Sequence, residues 1–367
     1  MKTNKFLIGF LLQAVVCSGG LHAQTDLHAN AYSIIQDAVT DIVCTSPTDA
    51  IQKEKRVIQI LDGKGKGDAS FVCMCDRFSS LKKFSGEVRD ASGNVIRKIK
   101  KSELKVTEYS DELVSDDYYY FFEYTPSRYP ITITYEWEIK NSDGLIGYPS
   151  FLPQKNYNQS VAQASYRILT PADNPCRYRT INMQAEVSQK QTTDGNWLTE
   201  VKVQSLPAIQ KEPYSPALSE LLPRIYFTPR NFSFEGTKGS MDNWQTYGAW
   251  QYQLLNGRDQ IPPALKEELQ RRTANCNTPY EKIAAVYQYL ASTTRYVSIQ
   301  LGIGGLQPIA ATDVHRTGFG DCKGLSNYMR AMLTELGIPS TYTVISTTNR
   351  RLLADFASAN QNNHVIL

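Results

Sequence analysis

The feature that most constrains this fold is the stretch 317–339, which carries the pattern of a capped, half-buried helix around one cysteine. It reads TGFGDCKGLSNYMRAMLTELGIP. Asp321 suits the N-cap position, because its carboxylate can accept the free amide hydrogens of a first helical turn. Gly337 suits the position after the last turn, and Pro339 blocks continuation. Between these ends, apolar residues follow at helical spacing: Leu325, Met329, Met332, Leu333 and Leu336.

This pattern places Cys322 in the first helical turn, where nucleophilic chemistry is favoured. The partial positive charge of a helix N-terminus stabilises the thiolate, and Lys323 beside it acts in the same direction while Asp321 opposes it. His364 lies 42 residues downstream, directly before the apolar run 365–367. A histidine at the start of a strand, facing a cysteine at the start of a helix, is the papain-like form of a Cys–His pair. The alternative is a buried structural cysteine and a hydrogen-bonded histidine.

Other polar groups near this stretch have weaker patterns. His315 is a second candidate base, although we expect it in a loop, and a metal site of Cys322, His315 and His364 is a further alternative. The run 302–305, Gly-Ile-Gly-Gly, lacks the Lys-Ser/Thr of a phosphate loop, so its signal for a phosphate site is weak. Gln300, just before that run, is a candidate oxyanion donor.

The motifs GDCKGLSNY and NHVIL resemble the cysteine and histidine motifs of transglutaminase-like domains. Residues 294–305 and 307–308 resemble the segment before the cysteine in bacterial envelope proteins of this family. Residues 211–216 and 257–259 resemble the domain of unknown function that precedes the core in those proteins. The resemblance implies that Cys322 is the nucleophile and His364 the base, with no metal or organic cofactor. It also implies that the run 302–305 is a turn that lines the active cleft. The family's third member, an Asp beyond the His, has no counterpart before Leu367, which predicts either a fragment or a product without a complete triad.

The first half of the chain has the pattern of an antiparallel β-sandwich from about residue 57 to residue 203. Residues 131–140 alternate strictly between apolar and polar side chains, which is typical of a strand with one face on a core and one in water. Short polar turns such as 141–144 separate such strands. The aromatic run 118–124 predicts inward packing of alternate side chains, and binding of a sugar or peptide is the alternative.

Helical patterns follow a proline-containing connection. We expect a helix over 241–255 capped by Ser240, one over 264–272, and one opened by a capping box at Thr278 with a buried stripe of Ile283, Val286, Tyr287 and Leu290. Strands are predicted at 341–346 and 363–367. The predicted fold class is therefore multidomain, an all-β antiparallel sandwich followed by an α+β papain-like transglutaminase core that is incomplete at its C-terminus. The predicted limits are 24–205 for the β-sandwich, 206–239 for the connecting segment and 240–367 for the core.

Residues 1–23 have the pattern of a secretory signal, with Lys2 and Lys5 before the apolar stretch 6–16. Cys17 leaves a lipoprotein anchor as the alternative. No other apolar stretch is long enough to predict a membrane span. We therefore expect export to the periplasm or cell envelope. The six remaining cysteines cannot all pair if Cys322 stays free, and Cys73 and Cys75 are expected on one face of a strand.

The sequence therefore predicts an exported protein that performs acyl transfer on peptide or protein amides, by hydrolysis or crosslinking. The net charge of +3, about +1 without residues 1–23, argues against nucleic acid as a partner. A non-catalytic envelope protein that binds a partner or serves as a scaffold is the alternative. The substrate and the oligomeric state are left open.

Overall fold

The structure is a computed structural model that describes residues 25–108, 114–348 and 352–367. The predicted secretory signal at 1–23 lies outside these residues. The strands up to residue 206 are β1 (Ser33–Cys44), β2 (Ala50–Ile60), β3 (Phe71–Cys75), β4 (Ser79–Arg89), β5 (Val95–Lys100), β6 (Lys105–Glu108), β7 (Val114–Ser115), β8 (Tyr118–Phe122), β9 (Ile131–Asn141), β10 (Gln159–Thr170), β11 (Arg177–Ile181), β12 (Ser188–Gln191) and β13 (Trp197–Leu206). Short 3-10 helices occupy Gly63–Ala69 and Lys101–Glu103.

Eight of these strands form one large sheet in the order β12-β13-β10-β1-β2-β9-β4-β5. Its register pairs Ile58 with Ile133 and Ile60 with Ile131, so the apolar face predicted for β9 continues across β2. The prediction of purely antiparallel pairing needs one correction, because β1 and β10 run parallel at the centre of the sheet. The strand pattern also begins earlier than predicted, at Ser33.

A second layer covers the apolar face of the large sheet and makes the domain a sandwich. Strands β3, β8 and β6 form a three-stranded sheet. The Phe71 ring of β3 lies 4.5 Å from the Phe84 ring and 5.4 Å from the Tyr135 ring, measured between centroids. The aromatic run belongs to β8, where alternate side chains pack against the core as predicted. Cys73 and Cys75 are both buried on one face of β3.

The remaining elements are α1 (Leu218–Leu221), β14 (Arg224–Thr228), β15 (Asn231–Phe234), β16 (Thr237–Ser240), α2 (Trp244–Gln253), α3 (Pro263–Thr273), α4 (Pro279–Thr293), β17 (Arg295–Tyr296), β18 (Ile299–Gln300), α5 (Ala311–Thr317), β19 (Phe319–Gly320), α6 (Cys322–Glu335), β20 (Thr343–Ile345) and β21 (His364–Ile366). Short 3-10 helices occupy Gly302–Gly305 and Ala359–Gln361. This α+β region after an N-terminal β-rich domain is the predicted fold class. The predicted domain limits stay predictions.

Local signals decide where these helices begin. The capping box at Thr278 opens α4 as predicted, with the Thr278 hydroxyl accepting from the Glu281 amide at 3.2 Å. The prediction of Ser240 as the cap of α2 is wrong. Ser240 ends β16, and Asn243 caps α2 by accepting from the Thr246 amide at 2.9 Å. The cap is therefore Asn243, three residues after the predicted Ser240, and it accepts from a free amide of the first helical turn.

Two apolar clusters hold the second half together. One joins α3, α4, α5 and α6 around Leu269, Val314 and Met332, all of which are fully buried. The other packs α2 on the β15–β16 hairpin, where the Phe232 and Trp250 rings meet edge to face at 4.9 Å. None of the helices within the described ranges is long and apolar enough to cross a membrane.

Candidate functional site

Helix α6 begins with the cysteine, as its sequence predicts. The Asp321 carboxylate caps it by accepting from the Gly324 amide at 2.9 Å. At the other end Gly337 adopts a φ of 69°, and the Ile338 amide donates to the Leu333 carbonyl at 2.9 Å. This Schellman geometry satisfies carbonyls of the last turn. Both ends of α6 are therefore fixed, and Cys322 occupies its first position.

A buried ion pair lies against the first turn of α6. The second oxygen of Asp321 contacts the Lys323 ammonium, and each side chain is only 4% exposed. The Lys323 ammonium therefore forms its ion pair with Asp321 and not with the adjacent thiol. The positive end of the α6 dipole also lies at Cys322.

Cys322 and His364 line the same cleft, whose volume is about 510 Å³. Cys322 is half-buried, and His364 is the first residue of β21, paired with Ile345 of β20. Among the described residues no hydrogen bond joins the two side chains. Catalytic hydrogen bonds are often long in unliganded sites and tighten only with substrate. The structure thus places the predicted nucleophile and base together in one solvent-accessible cleft.

The wall of this cleft is mostly apolar and corrects one prediction about α4. Val286 is buried as predicted, but Ile283 is 37% and Tyr287 62% exposed, because they face the open cleft instead of the core. Apolar residues of α4, α6 and β21 surround the cysteine, among them Ile283, Tyr287, Leu290, Leu325, Met329, Leu333 and Ile366.

Tyr296 lies beside Cys322 and was not singled out by sequence reasoning. Strand β17 pairs with β19 and sets Tyr296 opposite Gly320, two residues before the cysteine. Partial burial raises the pKa of the Tyr296 phenol, and repulsion from negative charge at Cys322 raises it further. Only the strand pairing shows this placement, because no spacing rule links residue 296 to residue 322.

Tyr342 is a second tyrosine whose titration responds to the cysteine. Burial is the main cause of its raised pKa, followed by repulsion from Cys322 and Asp321. Its hydroxyl is buried and has no hydrogen-bond partner within the ranges that the structure describes. Tyr342 therefore has an unpaired hydroxyl close to the N-terminus of α6.

The turn Gly302–Gly305 is held by acidic side chains from outside the core. The Gly302 amide donates to Asp116 at 3.1 Å, and the Ile303 amide donates to Glu235 at 2.7 Å. Arg77 bridges the two carboxylates, at 3.1 Å from Glu235 and 4.0 Å from Asp116. This turn is not among the residues that line the cleft around Cys322, so that prediction is corrected. The amides of Gly302 and Ile303 donate to the acidic pair instead.

Gln300 lies two residues before Gly302, the first residue of this turn. It belongs to β18, which pairs in parallel with β7 of the β-rich domain. Its side-chain amide donates to the Ser298 hydroxyl at 3.4 Å. Gln300 is not among the residues that line the cleft around Cys322. Its role as an oxyanion donor stays a prediction.

His315 is not in a loop, contrary to the prediction. It lies in α5, and its Nδ1 pairs with the Tyr328 hydroxyl of α6 at 3.0 Å. The described part of the cleft wall includes His364 but not His315. This geometry brings His364, and not His315, together with the cysteine.

Two family models match the chain. A domain of unknown function, DUF3857, covers residues 50–210, and the transglutaminase-like superfamily core covers residues 267–366. No curated protein matches the sequence.

Solved structures with a similar fold include one described as a "putative protease" from Parabacteroides distasonis. It is 14% identical, with a TM-score of 0.68 over 91% of this chain and 64% of that chain. This chain therefore spans less than two thirds of that protein. An M1 zinc metallopeptidase from Deinococcus radiodurans is 10% identical over 83% of this chain and 63% of that chain. Its TM-score of 0.27 is too low to inform the fold.

Proposed function

Because this chain carries a DUF3857 domain followed by a transglutaminase-like core, we propose that it performs acyl transfer on peptide or protein amides, with Cys322 as nucleophile and His364 as base. The observation that carries the proposal is the shared cleft. It holds a half-buried thiol at the N-terminus of α6 together with an imidazole at the start of β21. The apolar wall suits a peptide side chain beside the reacting amide.

The reaction proceeds in two steps. The Cys322 thiol gives its proton to the His364 ring, and the thiolate adds to the amide carbonyl carbon to form a C–S bond and an oxyanion. Collapse of this intermediate breaks the C–N bond, and the imidazolium returns the proton to the leaving amine. Water or a second amine then attacks the thioester and regenerates the thiol. Hydrolysis and crosslinking differ only in this acceptor, and no metal takes part in either.

The neighbouring groups have supporting roles in this scheme. Tyr296 lines the same cleft as Cys322 and lies opposite Gly320, so its phenol is placed to orient the sulfur. Gln300 remains the proposed oxyanion donor, which requires β18 to present its amide to the cleft during reaction. Asp321 and Lys323 hold the first turn of α6 in place.

A thiol-labelling experiment tests this proposal with an internal control. Cys276 is also half-buried, but it follows the C-terminal end of α3, where the helix dipole disfavours a thiolate. With iodoacetamide at pH 7 and peptide mass mapping, we expect Cys322 to react at least ~10-fold faster than Cys276. His364→Ala should slow the alkylation of Cys322 and leave the alkylation rate of Cys276 unchanged. Equal rates at the two cysteines would instead favour a non-catalytic scaffold.

Export is the second part of the proposal and rests on residues 1–23. Cleavage near residue 23 during secretion would leave a mature protein in the periplasm or cell envelope. N-terminal sequencing of the protein recovered from the envelope fraction tests this. An intact N-terminus in the cytoplasmic fraction would contradict it, and an acylated Cys17 would identify the lipoprotein form.

A further inference from the structure

Strand β2 carries charged side chains on the covered face of the large sheet. Ile58 and Ile60 lie on that face and are buried. Strand alternation sets Arg56 and Glu54 on the same face, in line with the two isoleucines. Inward charges often protect sheet edges, but β2 has β1 and β9 as neighbours on its two sides. Edge protection therefore does not explain these charges.

Arg56 and Glu54 line a cavity of about 740 Å³ between the large sheet and its cover. The segment around Lys155, the 3-10 helix at Gly63–Ala69, strand β14 and residue Asn360 complete its wall. Small-molecule sites in proteins have volumes of about 300–1,000 Å³. This cavity is separate from the cleft of Cys322, since the described walls of the two have no residue in common.

The acidic groups of this cavity are already satisfied by the protein. Glu54 pairs with Arg56 at 3.2 Å and accepts a hydrogen bond from Gln52. Asp68 accepts hydrogen bonds from three neutral side chains, those of Ser33, Asn156 and Gln159. Neither carboxylate therefore needs a ligand to compensate its burial.

The cationic groups are not satisfied to the same degree. The Lys155 ammonium has no hydrogen-bond or ion-pair partner in the described ranges. Lys155 lines the cavity and is exposed, so its ammonium is open to a ligand. Nearby protein atoms, and then the charge of Arg56, lower its pKa to about 8. Within the described ranges Arg56 hydrogen-bonds only Glu54, and its guanidinium lies over the Trp137 ring at 5.1 Å, so most of its five donors have no acceptor there. Arg224, also in the wall, donates to the Tyr226 hydroxyl at 2.9 Å.

We propose that this cavity binds a small carboxylate-bearing ligand whose carboxylate lies against Lys155 and Arg56. Three cationic and two anionic side chains line the cavity, Arg56, Lys155, Arg224, Glu54 and Asp68. The net charge of these side chains is therefore +1. A single carboxylate neutralises it, whereas a phosphate dianion would leave the occupied cavity with a net charge of −1. A guanidinium with free donors also matches a carboxylate in geometry.

Calorimetric titration of the full chain carrying Cys322→Ala tests the proposal without turnover. The probes are N-acetyl-alanyl-alanine, its C-terminal amide, acetate and inorganic phosphate. We expect the free acid to bind at least ~10-fold more tightly than the amide, because a charge-assisted contact is lost. Acetate binding as tightly as the dipeptide acid would also support the site. It would indicate that the ligand is a free small carboxylate rather than a peptide terminus.

Variants locate the binding. Lys155→Gln should weaken binding of the free acid about tenfold. Lys66→Gln, on the adjacent 3-10 helix but not among the residues that line the cavity, should have no effect. Affinity should also fall as the pH rises above about 8, where Lys155 loses its charge. Thermal midpoints of both variants check that they are folded. Equal binding of acid and amide, unchanged binding in Lys155→Gln, tighter binding of phosphate, or no binding of any probe would each overturn the proposal.

Discussion

The buried pair of Asp321 and Lys323 gives the most specific stability prediction. Asn at position 321 still offers an oxygen to the Gly324 amide, so Asp321→Asn keeps the N-cap and removes only the charge. The Lys323 ammonium, on a side chain that is 4% exposed, is then buried without its counter-ion. Breaking a buried pair in this way costs about 3–5 kcal/mol.

A double variant separates the ion pair from other effects of the substitution. Asp321→Asn with Lys323→Met removes both charges, and replacing a buried pair with neutral groups of similar size is often close to neutral in stability. We therefore expect the double variant to recover most of the loss. Asp313→Asn is the matched control, because its partner Arg316 is exposed and such pairs contribute at most about 1 kcal/mol.

Native-state hydrogen exchange, read by mass spectrometry on peptides of α6, measures the local free energy of opening. This assay does not require the whole multidomain chain to unfold in two states. A double variant as unstable as Asp321→Asn alone would refute the reasoning, because the loss would then come from something other than the stranded ammonium.

Three further predictions concern the clamped turn and the cavity. Glu235→Gln should speed amide exchange at 302–305 by up to about fivefold relative to the exposed Glu212→Gln, since the pair with Arg77 is partly exposed. Gly302→Ala should destabilise the protein by about 1–3 kcal/mol in thermal denaturation, because φ is +51° and a Cβ would lie 2.5 Å from Arg77. Gly304→Ala, where a Cβ meets nothing within 4 Å, is its control. Lys155 has a lowered pKa in the folded state, so its charge destabilises the fold. The free energy of unfolding should therefore rise between pH 8 and 10.5, where folded Lys155 loses its proton before unfolded Lys155 does. Lys155→Met should lack this rise.

Local patterns predicted the helix at the site well. Asp321, Gly337 and the apolar stripe of α6 each act within a few residues, so the sequence alone fixes where that helix begins and ends. The same holds for the capping box of α4 and the alternation of β9. These signals depend on backbone hydrogen bonds that the sequence displays directly.

Long-range pairing was the part that could not be predicted. The parallel contact of β1 with β10, the clamp on Gly302 and the approach of Tyr296 to Cys322 all join distant segments. The exposure of Tyr287 also depends on what lies opposite α4 rather than on helical spacing. Periodicity identifies an apolar face but does not say whether that face meets a core or an open cleft.

The parallel pairing at the centre of the large sheet has a consequence for biogenesis. Ser33 aligns with Gln159, so one edge of β1 stays unsatisfied until most of the first domain has been synthesised. Chains with such high contact order fold slowly and expose strand edges to aggregation in the meantime. If the chain is secreted unfolded, as we propose, this closure is postponed until after translocation, and the open edge of β1 would then need protection from aggregation on both sides of the membrane.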